Sequence, residues 1–320
     1  MFYLLFPEAS LRVMTTAAVV FSCLLTFAAL GCLKDKLPKD GGREFAVNGA
    51  KSVGKPRGAG LLLIFAFVIT ALLFLPGSME LLIYLILAVV EMLSGYFDDA
   101  SDKPWGRLVK GLLDFGVALV CAITWLANNP STFRIAISGA EVAIPRPVYA
   151  CLIIVLIWAS INVVNCSDGV DGLCASLSAV TLFSVFLIQL QRGQDSTYSR
   201  LNLILIVVIL AYLWFNSSPS ILLMGDAGSR AIGFLIALAF LKLGYPLLFI
   251  PLTIIMILDG GLGLVKITLI KVTHRNPLKN LRTPIHDHFR KNKGWSDTQV
   301  VARFTIIQAL IGLAVVYAFF

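Results

Sequence analysis

Long apolar runs, separated by short polar breaks, constrain this chain more than any other feature of its sequence. Apolar residues make up 58% of its 320 residues and charged residues only 14%, and the mean hydropathy is +0.88. A soluble globular domain of this size could not bury so many apolar side chains, so that class is excluded. The sequence predicts an all-α integral membrane protein that forms a single polytopic domain over residues 1–320.

Ten of the apolar runs are close to the ~20 residues that a helix needs to cross a bilayer. They lie at about residues 11–33, 59–76, 79–97, 111–128, 148–165, 173–191, 200–215, 230–243, 246–270 and 298–319. About ten transmembrane helices are therefore expected. An even number of spans leaves both termini on the same side of the membrane.

Lys and Arg are distributed unevenly between the two sides. Alternate connections, beginning with residues 34–58, hold 19 of the 26 basic residues, and Arg303 adds one more. The positive-inside rule places these connections in the cytoplasm and both termini outside. Because the basic residues lie beside predicted spans, we expect membrane lipids and phosphate-bearing substrates as partners, and no nucleic acid. On the other side, residues 129–147 alternate apolar and polar side chains, which predicts a small outer hairpin.

Five aspartates lie in the breaks assigned to the cytoplasmic side: Asp98, Asp99, Asp168, Asp171 and Asp226. A carboxylate at the end of an apolar span is costly unless a cation, a metal or a ligand compensates its charge. Three breaks on one side carry such residues. We therefore expect one shared site, with cytoplasmic active-site loops around it.

The break after the fifth run contains two asparagines and two aspartates, Asn162, Asn165, Asp168 and Asp171. The aspartates are three residues apart, so they would share a face in the first turn of the next helix, near the positive end of its dipole. Helix capping by Ser167 or Asp168 explains one polar residue. It does not explain four, so ligand binding is predicted in addition.

Asp98 and Asp99 are adjacent, and their repulsion favours a shared cation or an added proton. A solvated loop end is the alternative explanation of the pair. Lys110 follows within twelve residues and supplies positive charge for a phosphate-bearing ligand, although simple anchoring at the membrane surface would also explain a basic residue there.

The break before the eighth run contains Asn216 and the string from Gly225 to Ser229. Its glycines allow close approach of a ligand, and the following helix N-terminus suits phosphate. Asp226 could hold Mg²⁺, which takes one or two carboxylates together with phosphate oxygens and water. Alone, this string would be an ordinary turn. It gains weight because similar residues recur in three breaks.

The last basic connection contains His286, Asp287 and His288. Pro284 precedes them, which predicts a structured loop. Zinc is not favoured, because no Cys or suitably spaced Glu accompanies the histidines. Asp259, inside the ninth apolar run, either lines the site or makes a buried helix contact.

Together these strings resemble the polyprenyl-phosphate N-acetylhexosamine-1-phosphate transferases, and within them the muramoyl-peptide branch. The tail from Pro284 to Phe289, followed by Gly294-Trp295, is the most specific match. Two strings differ from the family pattern. Asp287 stands where the branch has the middle of three histidines, and the Gly-Thr-Pro-Thr-Met-Gly-Gly string reads Gly-Lys-Pro-Arg-Gly-Ala-Gly over residues 54–60.

The resemblance implies a Mg²⁺-dependent enzyme of the bacterial inner membrane whose active site faces the cytoplasm. It would transfer phospho-N-acetylmuramoyl-pentapeptide from UDP-MurNAc-pentapeptide to undecaprenyl phosphate, forming lipid I and releasing UMP for peptidoglycan synthesis. Attack could be direct or proceed through a covalent aspartyl intermediate. A homodimer is also implied. Two alternatives remain at this point: the N-acetylglucosamine-1-phosphate branch of the same superfamily, and a secondary transporter, although no internal repeat supports transport.

The same resemblance suggests residue roles. Asp226 would hold Mg²⁺, and His288 or His286 would contact the diphosphate or the sugar. Asp98 would lie on the lipid-phosphate side as a base, tuned by Asp99. The remaining substrate-binding set is Lys110, Asn162, Asn165, Asp168, Asp171, Asn216, Gly225, Ser229 and Asp287.

Overall fold

Helices form nearly all of the ordered structure. The computed structural model describes residues 2, 6, 8, 10–42, 52–101, 103, 105–194, 196–274 and 278–320. The longer helices are α1 Leu11–Leu33, α2 Gly60–Phe74, α3 Met79–Ala100, α4 Arg107–Asn128, α5 Arg146–Cys166, α6 Leu173–Gln191, α7 Thr197–Asn216, α8 Gly225–Leu243, α9 Leu262–Thr273, α10 Ile285–Lys293 and α11 Asp297–Phe319. A single 3₁₀ turn, Lys34–Lys36, extends α1.

Seven helices in the described part of the chain are long and apolar enough to cross a membrane: α1, α3, α4, α5, α6, α7 and α11. The prediction of an all-α membrane protein is confirmed. Two further predicted spans fall short for different reasons. Helix α2 has only 15 residues, and α8 carries three charged side chains, Asp226, Arg230 and Lys242.

The ninth apolar run, predicted as one helix over residues 246–270, is broken. It consists of a 3₁₀ turn Pro246–Leu248, two short helical pieces Phe249–Leu252 and Ile254–Met256, a π-helical turn Ile257–Gly261, and α9. Proline removes a backbone donor and clashes with the preceding turn, and this run contains two prolines followed by a glycine pair. Hydropathy alone could not show these interruptions, because the broken pieces are as apolar as a continuous helix.

Helix α8 is the centre of the bundle. It packs against α3 and α5 most extensively, and also against α2 and α6. Nearly all of its side chains are buried. Its charged residues therefore contact other helices instead of lipid, which explains why a segment with three charges lies inside a membrane protein.

An antiparallel pair of short strands, β1 Thr132–Arg134 and β2 Glu141–Ala143, lies between α4 and α5. The backbone N–H of Arg134 donates to the carbonyl of Gly244, just after the C-terminus of α8, at 2.9 Å. The strand pair is thus fixed at the end of α8 opposite to Asp226. Helix α8 has 19 residues and is about 28 Å long at 1.5 Å per residue.

Candidate active site

Three carboxylates from two helices meet at one end of the bundle. Asp98 and Asp99 lie in the last turn of α3, and Asp226 lies in the first turn of α8. One oxygen from each lies within 4.8 Å of the other two. Asp98 is buried. Such a concentration of like charge is stable only with compensating cations.

Lys110, in the first turn of α4, compensates two of these carboxylates. Its Nζ lies 2.5 Å from Oδ2 of Asp98 and 2.9 Å from Oδ2 of Asp226. The other oxygen of Asp98 accepts the backbone N–H of Trp105 at 2.6 Å. The Lys110 side chain remains 27% exposed. An anionic ligand could therefore reach the ammonium group without unfolding any helix.

Arg57, from the connection between α1 and α2, compensates the third carboxylate. Its Nε and Nη2 lie 2.9 and 2.8 Å from Oδ1 of Asp99, and its Nη1 donates to Oδ1 of Asp40 at 2.9 Å. Burial alone would lower the pKa of Arg57, but Asp99 and Asp40 outweigh burial and raise it. The guanidinium is thus a permanent positive charge at the cluster.

Asp40 is part of the same network. Burial alone would raise the pKa of this carboxyl group, but hydrogen bonds from Ser52 and Arg57 outweigh burial and hold the pKa below its usual value. Neither Arg57 nor Asp40 was singled out from the sequence. The available signal was the altered string at residues 54–60, in which Lys55 and Arg57 replace the two threonines of the family pattern.

Glycines allow the first connection to approach α8 closely. A Cβ on Gly60 would overlap the backbone of Gly228, and a Cβ on Gly225 would overlap the carboxylate of Asp99. The backbone N–H of Leu223 donates to the carbonyl of Pro56 at 2.8 Å. This backbone contact fixes the position of Arg57 relative to Asp226.

Asn165, at the C-terminal end of α5, also reaches the cluster. Its Nδ2 donates to Oδ1 of Asp226 at 3.2 Å and to the hydroxyl of Ser229 at 2.9 Å. The hydroxyl of Ser229 in turn donates to the carbonyl of Gly225 at 3.0 Å. Hydrogen bonds therefore join four of the predicted residues, Asn165, Gly225, Asp226 and Ser229, at the carboxylate of Asp226.

Asp168 and Asp171 precede α6 instead of occupying its first turn, so that prediction was wrong. The helix begins at Leu173, because Gly172 at its N-cap is left-handed with φ 84° and interrupts the helical path. Asp171 accepts the backbone N–H of Ser220 at 3.0 Å, and Nζ of Lys55 lies 3.6 Å away. The segment before α6 is thus fixed to the segment before α8.

Asn216 has a positioning role in the same segment. Its Oδ1 accepts the backbone N–H of Gly172 at 2.8 Å, and its Nδ2 donates to the carbonyl of Leu222 at 2.9 Å. The side chain is buried. With its amide oxygen and its amide nitrogen both bonded to backbone, Asn216 holds two connections together.

The histidine segment forms helix α10 and not the loop that was predicted. Pro284 is the N-cap of this helix, a position where a missing N–H costs nothing. His286 is buried. Oδ1 of Asp259 accepts the backbone N–H of His286 at 2.8 Å, and Oδ2 of Asp259 lies 2.8 Å from Nδ1 of the same histidine. Asp259 is therefore the partner that orients His286. A Cβ on Gly169 would overlap the His286 ring, which places that ring beside the segment before α6.

Three predicted residues make other contacts. Nδ1 of His288 accepts the backbone N–H of Arg282 at 3.3 Å. Asp287 lies 3.4 Å from Nη1 of Arg290 and 3.8 Å from Nε2 of His286. Asn162 donates to the carbonyl of Trp158 within its own helix at 2.8 Å. None of these contacts reaches the carboxylate cluster.

The carboxylate cluster has the donor set of a site for a hard divalent cation. Mg²⁺ prefers oxygen ligands and is usually held by one or two carboxylates with substrate phosphates and water. Asp98, Asp99 and Asp226 supply such oxygens. The sequence hypothesis gave Asp98 and Asp226 separate roles, whereas the structure joins them through Lys110.

Comparison with known proteins identifies the family of this chain. Residues 81–244 match the model of glycosyl transferase family 4, and the chain belongs to this family. Its curated relatives include the phospho-N-acetylmuramoyl-pentapeptide-transferase of Treponema pallidum strain Nichols, which is 32% identical over an alignment of 329 positions that covers 97% of this chain and 91% of the relative.

Two further relatives have the same name. The one from Oceanobacillus iheyensis is 28% identical and covers 83% of this chain and 84% of its own length. The one from the Wolbachia of Brugia malayi is 27% identical and covers 79% of this chain and 80% of its own length. The resemblance drawn from the motifs is confirmed, and these names do not favour the N-acetylglucosamine branch.

Proposed function

We propose that this protein transfers phospho-N-acetylmuramoyl-pentapeptide from UDP-MurNAc-pentapeptide to undecaprenyl phosphate, forming lipid I and releasing UMP for peptidoglycan synthesis. The observation that carries the proposal is the cluster of Asp98, Asp99 and Asp226 around Lys110, in a chain whose relatives are named for this reaction. Phosphoryl transfer depends on positioning and on neutralisation of charge, and the cluster supplies groups for both.

The proposed reaction exchanges one phosphoanhydride bond for another. An oxygen of undecaprenyl phosphate attacks the phosphorus that carries the sugar, and the bond from that phosphorus to the bridging oxygen breaks. UMP leaves with the bridging oxygen and its electron pair. A lipid phosphate is already anionic near neutral pH, so the attack needs no strong protein base. Lys110 lies where it can neutralise an incoming phosphate, and Arg57 adds a second, permanently charged cation.

Mg²⁺ is part of the proposal, with Asp226 as its principal ligand and Asp98 and Asp99 as the other oxygen donors. When bound, it would neutralise the charge of the diphosphate. Asn165 restrains Asp226 from the opposite side to Lys110. Together these contacts hold the carboxylate in one orientation before any substrate arrives.

His286 is assigned to contact with the diphosphate or the sugar. Its Nδ1 is engaged by Asp259. In the neutral ring this leaves Nε2 as the acceptor, on the side of Gly169. Asp168 and Asp171, in the same segment as Gly169, are assigned to the nucleotide side of the site, and His288 and Asp287 to its edge.

The membrane arrangement is proposed in the same way. Seven helices have the length and composition of spans, and α2, α8 and the broken run around Asp259 would complete ten. The excess of Lys and Arg in alternate connections supports a cytoplasmic active site, a β1–β2 pair outside, and both termini outside, in a bacterial inner membrane. Homodimer formation is proposed from the family resemblance alone.

A substrate screen tests the function. Purified protein in detergent is given undecaprenyl phosphate with UDP-MurNAc-pentapeptide or UDP-N-acetylglucosamine, each with and without Mg²⁺, and UMP release is measured. We expect release only with the muramoyl-pentapeptide nucleotide and only with Mg²⁺. Release with UDP-N-acetylglucosamine and not with UDP-MurNAc-pentapeptide would establish the N-acetylglucosamine-1-phosphate branch. No release with either nucleotide would reject the enzymatic proposal.

A further inference from the structure

Three charged side chains lie deeper in the bundle than the carboxylate cluster. They are Glu91 on α3, Asp114 on α4 and Arg230 on α8, and all three are buried. Nη2 of Arg230 donates to Oδ1 of Asp114 and lies 3.4 Å from Oε2 of Glu91. This triad, Glu91–Arg230–Asp114, links α8 to the two consecutive helices α3 and α4.

The triad is in register with the carboxylate cluster. Asp114 follows Lys110 by four residues on α4, and Arg230 follows Asp226 by four residues on α8. Side chains four residues apart lie one above the other on a helix face. On α4 and α8 the triad therefore lies one turn further into the bundle than the cluster.

Glu91 completes the arrangement on the third helix. It precedes Asp98 by seven residues, which is two helical turns on the same face of α3. Each helix that supplies Asp98, Lys110 or Asp226 thus also supplies one member of the triad. No other set of buried charges in the described residues joins these same three helices.

Stability does not explain the triad well. Buried ion pairs are often no more stabilising than apolar residues of similar volume, because desolvation offsets their attraction. Here one guanidinium faces two carboxyl groups, and Oε1 of Glu91 and Nε of Arg230 have no hydrogen-bond partner among the described residues. A guanidinium does, however, fix direction, because its donors form a planar fork.

We propose that the triad is a positioning network that sets the rotation and register of α3, α4 and α8, and thereby the spacing of Asp98, Lys110 and Asp226. This inference rests on the proposed function of that cluster. Misplacement of a reacting group by about 1 Å can cost about 100-fold in rate, so a network deeper in the bundle than the cluster can control its activity without touching substrate.

The decisive variant replaces the triad by apolar residues: Glu91→Leu, Asp114→Leu and Arg230→Met together. Because no buried charge is left unpaired, this variant is expected to fold with a thermal midpoint in detergent at or above that of the wild type. Arg230→Lys is a second variant, which keeps the charge and loses the planar fork. The matched control is Glu80→Gln with Lys242→Met. This ion pair joins the ends of α3 and α8 that lie away from the carboxylate cluster.

Two properties are measured for each variant: binding of Mn²⁺ alone, followed by electron paramagnetic resonance, and UMP release with its Mg²⁺ dependence. We expect the apolar triple variant to bind Mn²⁺ about 10-fold more weakly and to turn over about 10-fold more slowly than the wild type. The Mn²⁺ affinity and the turnover of Arg230→Lys should lie between those of the triple variant and those of the wild type. The control should lose thermal stability while binding Mn²⁺ as the wild type does.

Three outcomes overturn the network. The triple variant could match the wild type within twofold in both properties, the control could shift Mn²⁺ binding as much as the triple variant, or Arg230→Lys could fall outside the interval between them. The failure of the proposed function looks different. In that case the wild type releases no UMP from any nucleotide, while the comparison of Mn²⁺ binding between variants still decides whether the triad positions the carboxylates.

Discussion

Two lysines at opposite ends of the same bundle show how an ion pair can belong to a reactive site or to the scaffold. Nζ of Lys110 lies 2.5 Å from Asp98, and Nζ of Lys242 lies 2.5 Å from Glu80. The pairs are alike in distance and chemistry. Their surroundings differ, since the Lys110 side chain is 27% exposed and the Lys242 side chain only 7%.

Aromatic rings surround the scaffold pair. Nζ of Lys242 lies 4.2 Å from the ring centre of Tyr198 and 4.7 Å from that of Trp125, which are cation–π distances. Glu80 also accepts hydrogen bonds from Tyr84 and Tyr198 at 2.9 and 3.0 Å. In this pair one negative charge meets one positive charge.

The cluster at the other end is unbalanced. Four carboxylates, those of Asp98, Asp99, Asp226 and Asp40, share two cations, Lys110 and Arg57. An excess of carboxylate beside a partly exposed lysine side chain suits a divalent cation together with a phosphate-bearing ligand. The comparison teaches that charge balance and access, and not the presence of an ion pair, distinguish a reactive site from a structural contact.

The largest expected difference between the two ends comes from neutralising one carboxylate at each. Asp226→Asn should lower UMP release more than about 100-fold, because it replaces the anionic carboxylate of the principal Mg²⁺ ligand by a neutral amide. Glu80→Gln should leave the half-activating Mg²⁺ concentration unchanged. Both are measured by Mg²⁺ titration of purified protein. Near-normal turnover of Asp226→Asn with unchanged metal dependence would remove this residue from the metal site.

The two lysines offer a second test. Lys110→Met should lower turnover about 10-fold or more, since the incoming phosphate loses its cation, while Mn²⁺ binding tightens because a competing positive charge is gone. Lys242→Met should lower the free energy of unfolding by about 3 kcal/mol, because Glu80 is left without its partner. Turnover per folded molecule should stay within about twofold of the wild type. If the two variants behaved alike, the distinction between the two ends would fail.

The smallest expected effect concerns Asp40, at the edge of the cluster. Its pKa is lowered in the folded protein, so its contribution to stability is present above the unfolded value of about 3.9 and is lost as pH falls through the lower folded value. Asp40→Asn should therefore lower the thermal midpoint at pH 7 and at pH 6 equally. The difference from the wild type should shrink below about pH 4. A difference that grew as the pH fell would contradict the assigned direction.

Much of the fold could be read from local sequence. Helices α1, α3 and α6 begin or end within a few residues of the predicted runs, because hydropathy and helix length are properties of neighbouring residues. The breaks in the ninth run were missed, since apolar composition does not report on backbone geometry. The placement of Asp168 and Asp171 in the first turn of α6 was wrong for a related reason, because the left-handed Gly172 separates Asp171 from the helix.

The presence of a polar site could be predicted from the sequence. The contacts between its residues could be predicted less well. Aspartates in three breaks on one side indicated a shared polar site, and three of them do meet. Arg57 could not be assigned to Asp99, nor Asp259 to His286, because those partners lie 42 and 27 residues apart along the chain. No periodicity or spacing rule connects residues at such separations.

The sequence by itself determined that this is a membrane protein of apolar helices with acidic breaks, because hydropathy and polarity act over neighbouring residues. Its motifs also determined the family. Only the tertiary structure decided which charges compensate one another. Lys110 meets Asp226 across 116 residues, and Lys242 meets Glu80 across 162. The physical reason is that the energy of a buried charge depends on what surrounds it in space, and helix packing sets those surroundings.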